Sequence, residues 1–260
     1  MALACLVAFC APLIAEDDLR VERLTWAGIK IVAGDTTVLV DAVGTDLWGG
    51  NAPGGLVPVT SDTRRTYALV THAHNDHFDF ETLRAVLGER GYVICHAAIA
   101  TYIASRGLRV IPVDSWVPVS RGGFTFTAVP ASDGFGDEQV SWVMAVSGKK
   151  FLHGGDTLWH GKLEMVGAQH GPFDAVFLPI NGPRVGGAPA SETPRVMTPA
   201  QAVDAAVLLK ASLLVPIHYG LNDPPNYVEV DDPEAVLRSE AGRRGMALRV
   251  MTPGDLLPLD

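Results

Sequence analysis

Apolar residues in this chain fall into short runs broken by glycine, proline and aspartate. Val21–Trp26, Ile29–Val32 and Thr37–Val40 are β-branched runs separated by Ala27-Gly28 and Gly34-Asp35. Runs of this kind between turn formers predict consecutive antiparallel strands. Further strands are predicted at Tyr67–Thr71, Tyr92–Cys95, Arg109–Val113, Phe124–Val129, Val140–Val146, Lys150–Leu152, Asp174–Pro179, Leu213–Ile217 and Ala247–Met251. Helices are interleaved with them. Asp79 reads as the N-cap of a helix running to Leu87 and stopped by Gly88, and others are expected near Ala97–Ser105, Trp159–Ala168 and Pro233–Arg244. Thr198-Pro199-Ala200-Gln201 pairs a capping box with proline at the first helical position. Ala202, Val203, Ala206, Val207 and Leu209 then repeat at helical spacing. Two long stretches rich in Gly and Pro remain, Val43–Arg65 and Asn181–Val196. Loops of that length are usually lids, binding loops or disordered segments. Strands first, helices interleaved and strands again predict a layered α/β domain, not a barrel of regular βα units.

Composition narrows the picture. The chain has 260 residues, 48% of them hydrophobic and 19% charged, as in a folded globular protein. Its formal net charge of -9 repels phosphate backbones, so nucleic acid is not an expected partner. Arg238–Arg249 is rich in arginine but also carries Glu240, and reads as a solvated helix face. Of the cysteines, Cys5 and Cys10 lie at the very start and Cys95 is alone, so no C-x-x-C site is present.

Met1–Ala15 is almost wholly apolar and is followed at once by Glu16, Asp17 and Asp18. It is shorter than the roughly 20 residues of a membrane-spanning helix. Two readings stand: the apolar part of an export signal, which implies a periplasmic or secreted protein, or a buried or frayed N-terminal segment of a cytoplasmic one. Residues 16–260 are expected to form one domain. The pattern shows no stable membrane span and leaves the oligomeric state open.

The chemistry concentrates in Thr71-His72-Ala73-His74-Asn75-Asp76-His77, where three imidazoles and one carboxylate lie within six residues just past a predicted strand. Imidazole nitrogen and carboxylate oxygen are the usual protein ligands of catalytic zinc. From an extended segment, His72 and His74 can converge on one ion, while Asp76 and His77 continue into a turn and can face a second. A polar loop before a helix capped by Asp79 is the plain alternative. A bound metal lowers the pKa of its water from 15.7 toward about 7, so hydroxide becomes available at neutral pH. Asp76 is the residue placed to orient that nucleophile or take its proton. Among the other histidines, His96 and His170 read as structural or exposed, His153 as a core residue or a support for Asp156, and His160 as a residue that can reach the cavity mouth. Trp26 and Trp48 read as core or pocket lining.

The H-x-H-x-D-H run resembles the signature of the metallo-β-lactamase superfamily. Gly154-Gly155-Asp156-Thr157, Met197-Thr198-Pro199 and Val215-Pro216-Ile217-His218-Tyr219-Gly220 resemble later segments of its zinc-dependent hydrolase branch, which includes ascorbate-phosphate lactonase-like proteins. The resemblance runs from about Leu24 to Leu257. It implies an α/β fold, a four-layer αβ/βα sandwich. It also implies a binuclear centre with His72 and His74 on one metal, Asp76, His77 and His218 on the other, and Asp156 between them. In one place the chain departs from the pattern. Where a further histidine usually completes the first metal's ligands, Val129-Pro130-Ala131-Ser132-Asp133-Gly134 has none. Asp133 reads as a substitute ligand or as a turn residue before Gly134. An oxygen-richer site tolerates Mn²⁺ or Fe²⁺ better than an all-imidazole one, with two Zn²⁺ the first expectation.

The expected function is a hydrolase of an ester, lactone or phosphoester acting on a small molecule. A non-catalytic metal-binding protein of the same fold and a nuclease or phosphodiesterase are the alternatives. No Ser-His-Asp elbow, P-loop or dinucleotide fingerprint competes for the site. The resemblance disfavours antibiotic hydrolysis, because such enzymes usually carry Arg or Cys where His77 stands.

Overall fold

The structure is a computed structural model, and it describes residues 19–132, 134, 136–186 and 194–259. The segment 1–15 and Asp133 lie outside the described residues.

Alternating side chains sort the strands into two sheets. The first has the order β1 (Arg20–Arg23), β2 (Ile29–Ala33), β3 (Thr36–Val40), β4 (Arg65–Val70), β5 (Tyr92–His96) and β6 (Val110–Val113). As the turn residues predict, β1, β2 and β3 are antiparallel, whereas β3 to β6 run parallel. The second has the order β13 (Leu214–Ile217), β11 (Ala175–Pro179), β10 (Lys149–His153), β9 (Val140–Val146), β8 (Phe124–Pro130) and β7 (Val119–Arg121). In it β10, β11 and β13 are parallel. A separate two-stranded ribbon pairs β12 (Arg184–Val185) with β14 (Tyr227–Val228).

The period of two decides what each face meets. Val38, Val40, Leu69 and Ile94 of the first sheet pack against Phe126, Trp142, Phe151, Phe177 and Val215 of the second, making the central core. Their neighbours Leu39, Ala68, Val70, Val93 and Cys95 point outward onto α1 (Phe80–Leu87) and α2 (Ala97–Ser105). On the far side, Val143, Leu152, Val176, Leu178 and Leu214 face α3 (Leu163–His170), α4 (Pro199–Leu208) and α5 (Pro233–Arg244). The result is the expected four-layer αβ/βα sandwich. Among the described residues no helix is long and apolar enough to cross a membrane.

The helix signals act as read. Asp79 caps α1 by accepting from Thr82 N, and Thr198 and Gln201 form a reciprocal capping box on α4. Five elements differ from expectation. α3 begins at Leu163, not near Trp159. No side chain caps its start, and the chain before it is held in a loop by Leu158 N donating to Ser132 O. Ala247–Met251 is reduced to a single bridge between Leu248 and Leu214. The short strands β7, β12 and β14 had no alternating run long enough to mark them.

All the parallel strands present their carboxyl ends to one rim, where open α/β sheets bind ligands. On the outer face of the second sheet, α3 lies so close to α4 that a Cβ at Gly167 would collide with the Leu208 carbonyl oxygen. Gly167→Ala is therefore expected to lower stability by about 1–3 kcal/mol or more. An unchanged urea midpoint would contradict this close approach.

Candidate metal centre

Each residue at the rim leaves the end of a strand. Asp41 follows β3, Thr71 to His77 follow β4, Asp156 follows β10, Asn181 follows β11 and His218 follows β13. Register makes the first of these meetings inevitable. Val40 pairs with Leu69 in parallel and the Asp41 N–H donates to Leu69 O, so the Asp41 carboxylate arrives beside Thr71, two residues past Leu69. The Thr71 N–H donates to Asp41 Oδ1 at 2.9 Å and the Thr71 hydroxyl to Asp41 Oδ2 at 2.6 Å.

That carboxylate sets two imidazoles. His77 Nδ1 donates to Asp41 Oδ2 at 2.8 Å, which frees Nε2 as a lone pair. The Thr71 hydroxyl has already given its hydrogen to Asp41, so its oxygen accepts from His72 Nδ1 at 3.0 Å. His72 Nε2 is thereby freed as well. In the same way His218 Nδ1 donates to Asn181 Oδ1 at 3.2 Å, and His74 Nε2 donates to Asp137 Oδ2 at 2.9 Å.

The freed atoms converge in two groups around Asp156. In the first, His72 Nε2 lies 2.9 Å from His74 Nδ1 and 3.9 Å from Asp156 Oδ2. In the second, Asp156 Oδ1 is 3.0 Å from both His77 Nε2 and His218 Nε2, and Asp76 Oδ2 is 3.6 Å from both. Two nitrogen ligands of one tetrahedral zinc stand about 3.3 Å apart, given Zn–N bonds of about 2.0–2.1 Å. Both groups have spacings of that size.

Chemistry agrees with spacing. His77 Nε2, His218 Nε2 and Asp156 Oδ1 are buried and lack a hydrogen-bond partner among the described residues. Buried polar atoms are rarely left so, and a cation is the partner that two imidazole nitrogens and a carboxylate oxygen suit. Burial would push His77 and His218 down, yet the carboxylates of Asp156 and Asp76 raise both, His77 well above its ordinary value. Burial would push Asp156 up, but the charges of His218 and His77 hold it well below the usual carboxylate range. A pocket that draws protons onto two buried imidazoles is built to hold positive charge. His72, pressed by burial and by His77, falls to about 4 and stays neutral, the form that ligates metal.

The structure thus brings His72, His74, Asp76, His77, Asp156 and His218 together. Several supporting residues carried no sequence signal strong enough to be singled out: Asp41, Asn181 and Asp137. Only Asp41 left a trace, as a charge ending the fully buried run Thr36–Val40. Trp26 is core and site at once, because its indole N–H donates to Asp76 Oδ2 at 3.1 Å while its ring lies against His218. His153 is a buried support that donates from Nε2 to Ala27 O. His96 caps α2, and His160 is not among the residues lining the cavity.

Asp41→Asn is expected to keep the fold, since asparagine tolerates the φ of 44° found here. It should weaken metal affinity by about 10- to 100-fold, because one amide oxygen cannot serve both Thr71 and His77. Competition against a chelating dye measures this, and unchanged affinity would remove Asp41 from its supporting role.

Comparison with known proteins agrees with this geometry. Residues 36–219 match the family model described as beta-lactamase superfamily domain. The chain is similar to a UPF0173 metal-dependent hydrolase of Rubrobacter xylanophilus, 30% identical over 211 residues, spanning 73% of this chain and 77% of that protein. A UPF0173 metal-dependent hydrolase of Thermus thermophilus is 27% identical over 248 residues, 93% of this chain and 99% of that one. Among solved structures the fold is similar to Igni18, a metallo hydrolase of Ignicoccus hospitalis, with a TM-score of 0.70 and 19% identity, covering 93% of this chain and 98% of that chain.

Proposed function

This chain belongs to the beta-lactamase superfamily and is a metal-dependent hydrolase, and on that premise we propose that it uses a binuclear centre to hydrolyse an ester, lactone or phosphoester of a small molecule. The observation that carries the reading is Asp156, whose two carboxylate oxygens face two different groups of ligand atoms. His72 and His74 would hold one ion and Asp76, His77 and His218 the other, with Asp156 placed between the two groups. Two zinc ions fit the imidazole-rich donor set best, and Mn²⁺ or Fe²⁺ would suit a first group completed by a carboxylate in place of an imidazole. Asp133 is the candidate for that carboxylate, with a turn residue before Gly134 as the alternative: a zinc titration of Asp133→Ala weakened at the first group alone supports the first reading, and equal affinities at both groups the second.

When bound, the ions supply a water acidified toward neutral pH and polarise the bond under attack. The protein does the rest. Asp76 is half-buried at the cavity, and the Trp26 indole N–H fixes its Oδ2. The surrounding charges of His77 and His218 outweigh its burial and keep it ionised. It faces the cavity as an ionised carboxylate and is placed to orient the nucleophile. His74 and Asn75 line the same cavity, which holds about 370 Å³, enough for a small substrate and too little for a folded partner.

Elemental analysis of protein grown with zinc or manganese is expected to find up to two ions per chain. Stripping them with a chelator should abolish hydrolysis of generic esters, and zinc should restore it. Asp156→Asn should lose one ion and most activity while the melting transition stays cooperative. Full occupancy with unchanged turnover would take Asp156 out of the centre and the reading with it.

A further inference from the structure

The cavity over the metal centre has one wall that is not made of ligands. Pro183, Val185 and Val196 form its apolar part, and Tyr227 supplies the only hydroxyl among the described lining residues. No lysine or arginine is among them. Val185 and Tyr227 face each other across the ribbon of β12 and β14, so this wall is a hydrogen-bonded unit. The ribbon is tied in turn to the site. Glu229, just past β14, accepts from the N–H groups of Gly220 and Leu221, directly after His218.

The direction of one hydrogen bond matters most. Asn181 gives its Oδ1 to His218, so its amide N–H groups point the other way, toward Tyr227 and Glu229. Asn181 Nδ2 donates to the Tyr227 hydroxyl oxygen at 2.5 Å. The oxygen is an acceptor in that bond, and the tyrosine's own hydrogen has no acceptor among the described residues. Burial raises the hydroxyl above its ordinary range, so the hydrogen stays in place. Asn181 polarises it further, since a hydroxyl that accepts a bond donates a stronger one.

We propose that Tyr227 is a catalytic residue that donates its hydroxyl hydrogen bond to the carbonyl oxygen of a neutral acyl substrate, whose short apolar chain lies on Pro183, Val185 and Val196. The inference rests on the hydrolase reading above and narrows it to uncharged carboxylic esters and lactones. Away from the proposed ligands the described lining is Pro183, Val185, Val196 and the Tyr227 hydroxyl, a surface that suits an apolar acyl chain and a carbonyl oxygen. In the acyl reaction the C–O bond to the leaving oxygen breaks. The oxygen of water joins the acyl carbon, and its proton leaves with the alcohol. The Tyr227 hydrogen stays on its own oxygen throughout and stabilises the charge that gathers on the carbonyl oxygen.

The test uses the zinc-loaded full chain and its Tyr227→Phe variant. Butyl trifluoromethyl ketone, whose hydrate presents a tetrahedral centre, is titrated by calorimetry, and hydrolysis of phenyl butyrate is followed in parallel. The variant is expected to keep its zinc and to bind the ketone about tenfold or more weakly, with kcat on the ester falling about 100- to 1,000-fold and KM moving little. Equal ketone affinity in the two proteins overturns the assignment, as does a parent that ignores the ketone. Loss of zinc in the variant also overturns it, because Tyr227 would then act by holding Asn181 and His218. A parent that binds the ketone through Tyr227 yet hydrolyses neither phenyl butyrate nor a lactone sinks the hydrolase reading for acyl substrates while the hydrogen-bond assignment stands.

Discussion

A buried carboxylate in an apolar sandwich is an unfavourable thing to fold around, and the rim of this protein is arranged to make Asp41 tolerable. Removed from water, an isolated charge carries a penalty of several kcal/mol or more unless donors or a counter-charge meet it. Asp41 receives the Thr71 N–H, the Thr71 hydroxyl and His77 Nδ1. Each of these fixes something else. The backbone bond ties the end of β3 to the end of β4, and the hydroxyl bond turns the Thr71 oxygen into an acceptor for His72. The imidazole bond selects the tautomer of His77. One carboxylate thus orients an imidazole in each of the two ligand groups. It also explains why those groups are held at fixed separation: both hang from the same buried anchor.

What could be read from the chain follows from the range of the forces involved. Caps, turns and the H-x-H-x-D-H run are local, so Asp79, Thr198 and the segment His72–His77 show their roles in a few residues of sequence. His218 and Asp156 emerged through resemblance to a family, since their meeting depends on β10 and β13 lying one strand apart with β11 between. Asn181 and Tyr227 are of a third kind. Nothing local distinguishes an asparagine after an apolar strand, or a tyrosine in a loop, from their many counterparts elsewhere. Their roles exist only after a two-residue ribbon has folded over the rim. Such a ribbon has no periodicity to read, because two residues do not make an alternation.

The two ligand groups are not equivalent. His77, His218 and Asp156 are buried, and the atoms they turn toward one another have no other partner among the described residues. His74 is half-buried and leans on Asp137, an exposed residue. Water competes around His74 and hardly around His77 and His218, and electrostatic attraction to an ion falls as solvent enters. On the proposed reading, the deep group would hold its ion more tightly, and the shallow group, next to solvent, would exchange its ion more readily.

Backbone strain is distributed in keeping with this. Trp26, Asp41 and His218 all have positive φ, at 60°, 44° and 55°. Non-glycine residues in this region are held at a cost of order 1–3 kcal/mol each, and they persist only where the surroundings over-determine them. Here the surroundings do. The Trp26 carbonyl accepts from the Arg23 guanidinium and from the His218 N–H, so two of the strained residues hold each other across the gap between the sheets. Asp41 is held by its three donors. A strand that continued straight past any of these residues would carry its next side chain along the sheet and away from the rim. The left-handed turn swings it inward instead. The energy for holding those turns comes from the sandwich, whose two apolar faces fix the strand ends before any ligand atom is placed. The metal centre is then the place where the stability of the core is converted into the precise aim of a few side chains.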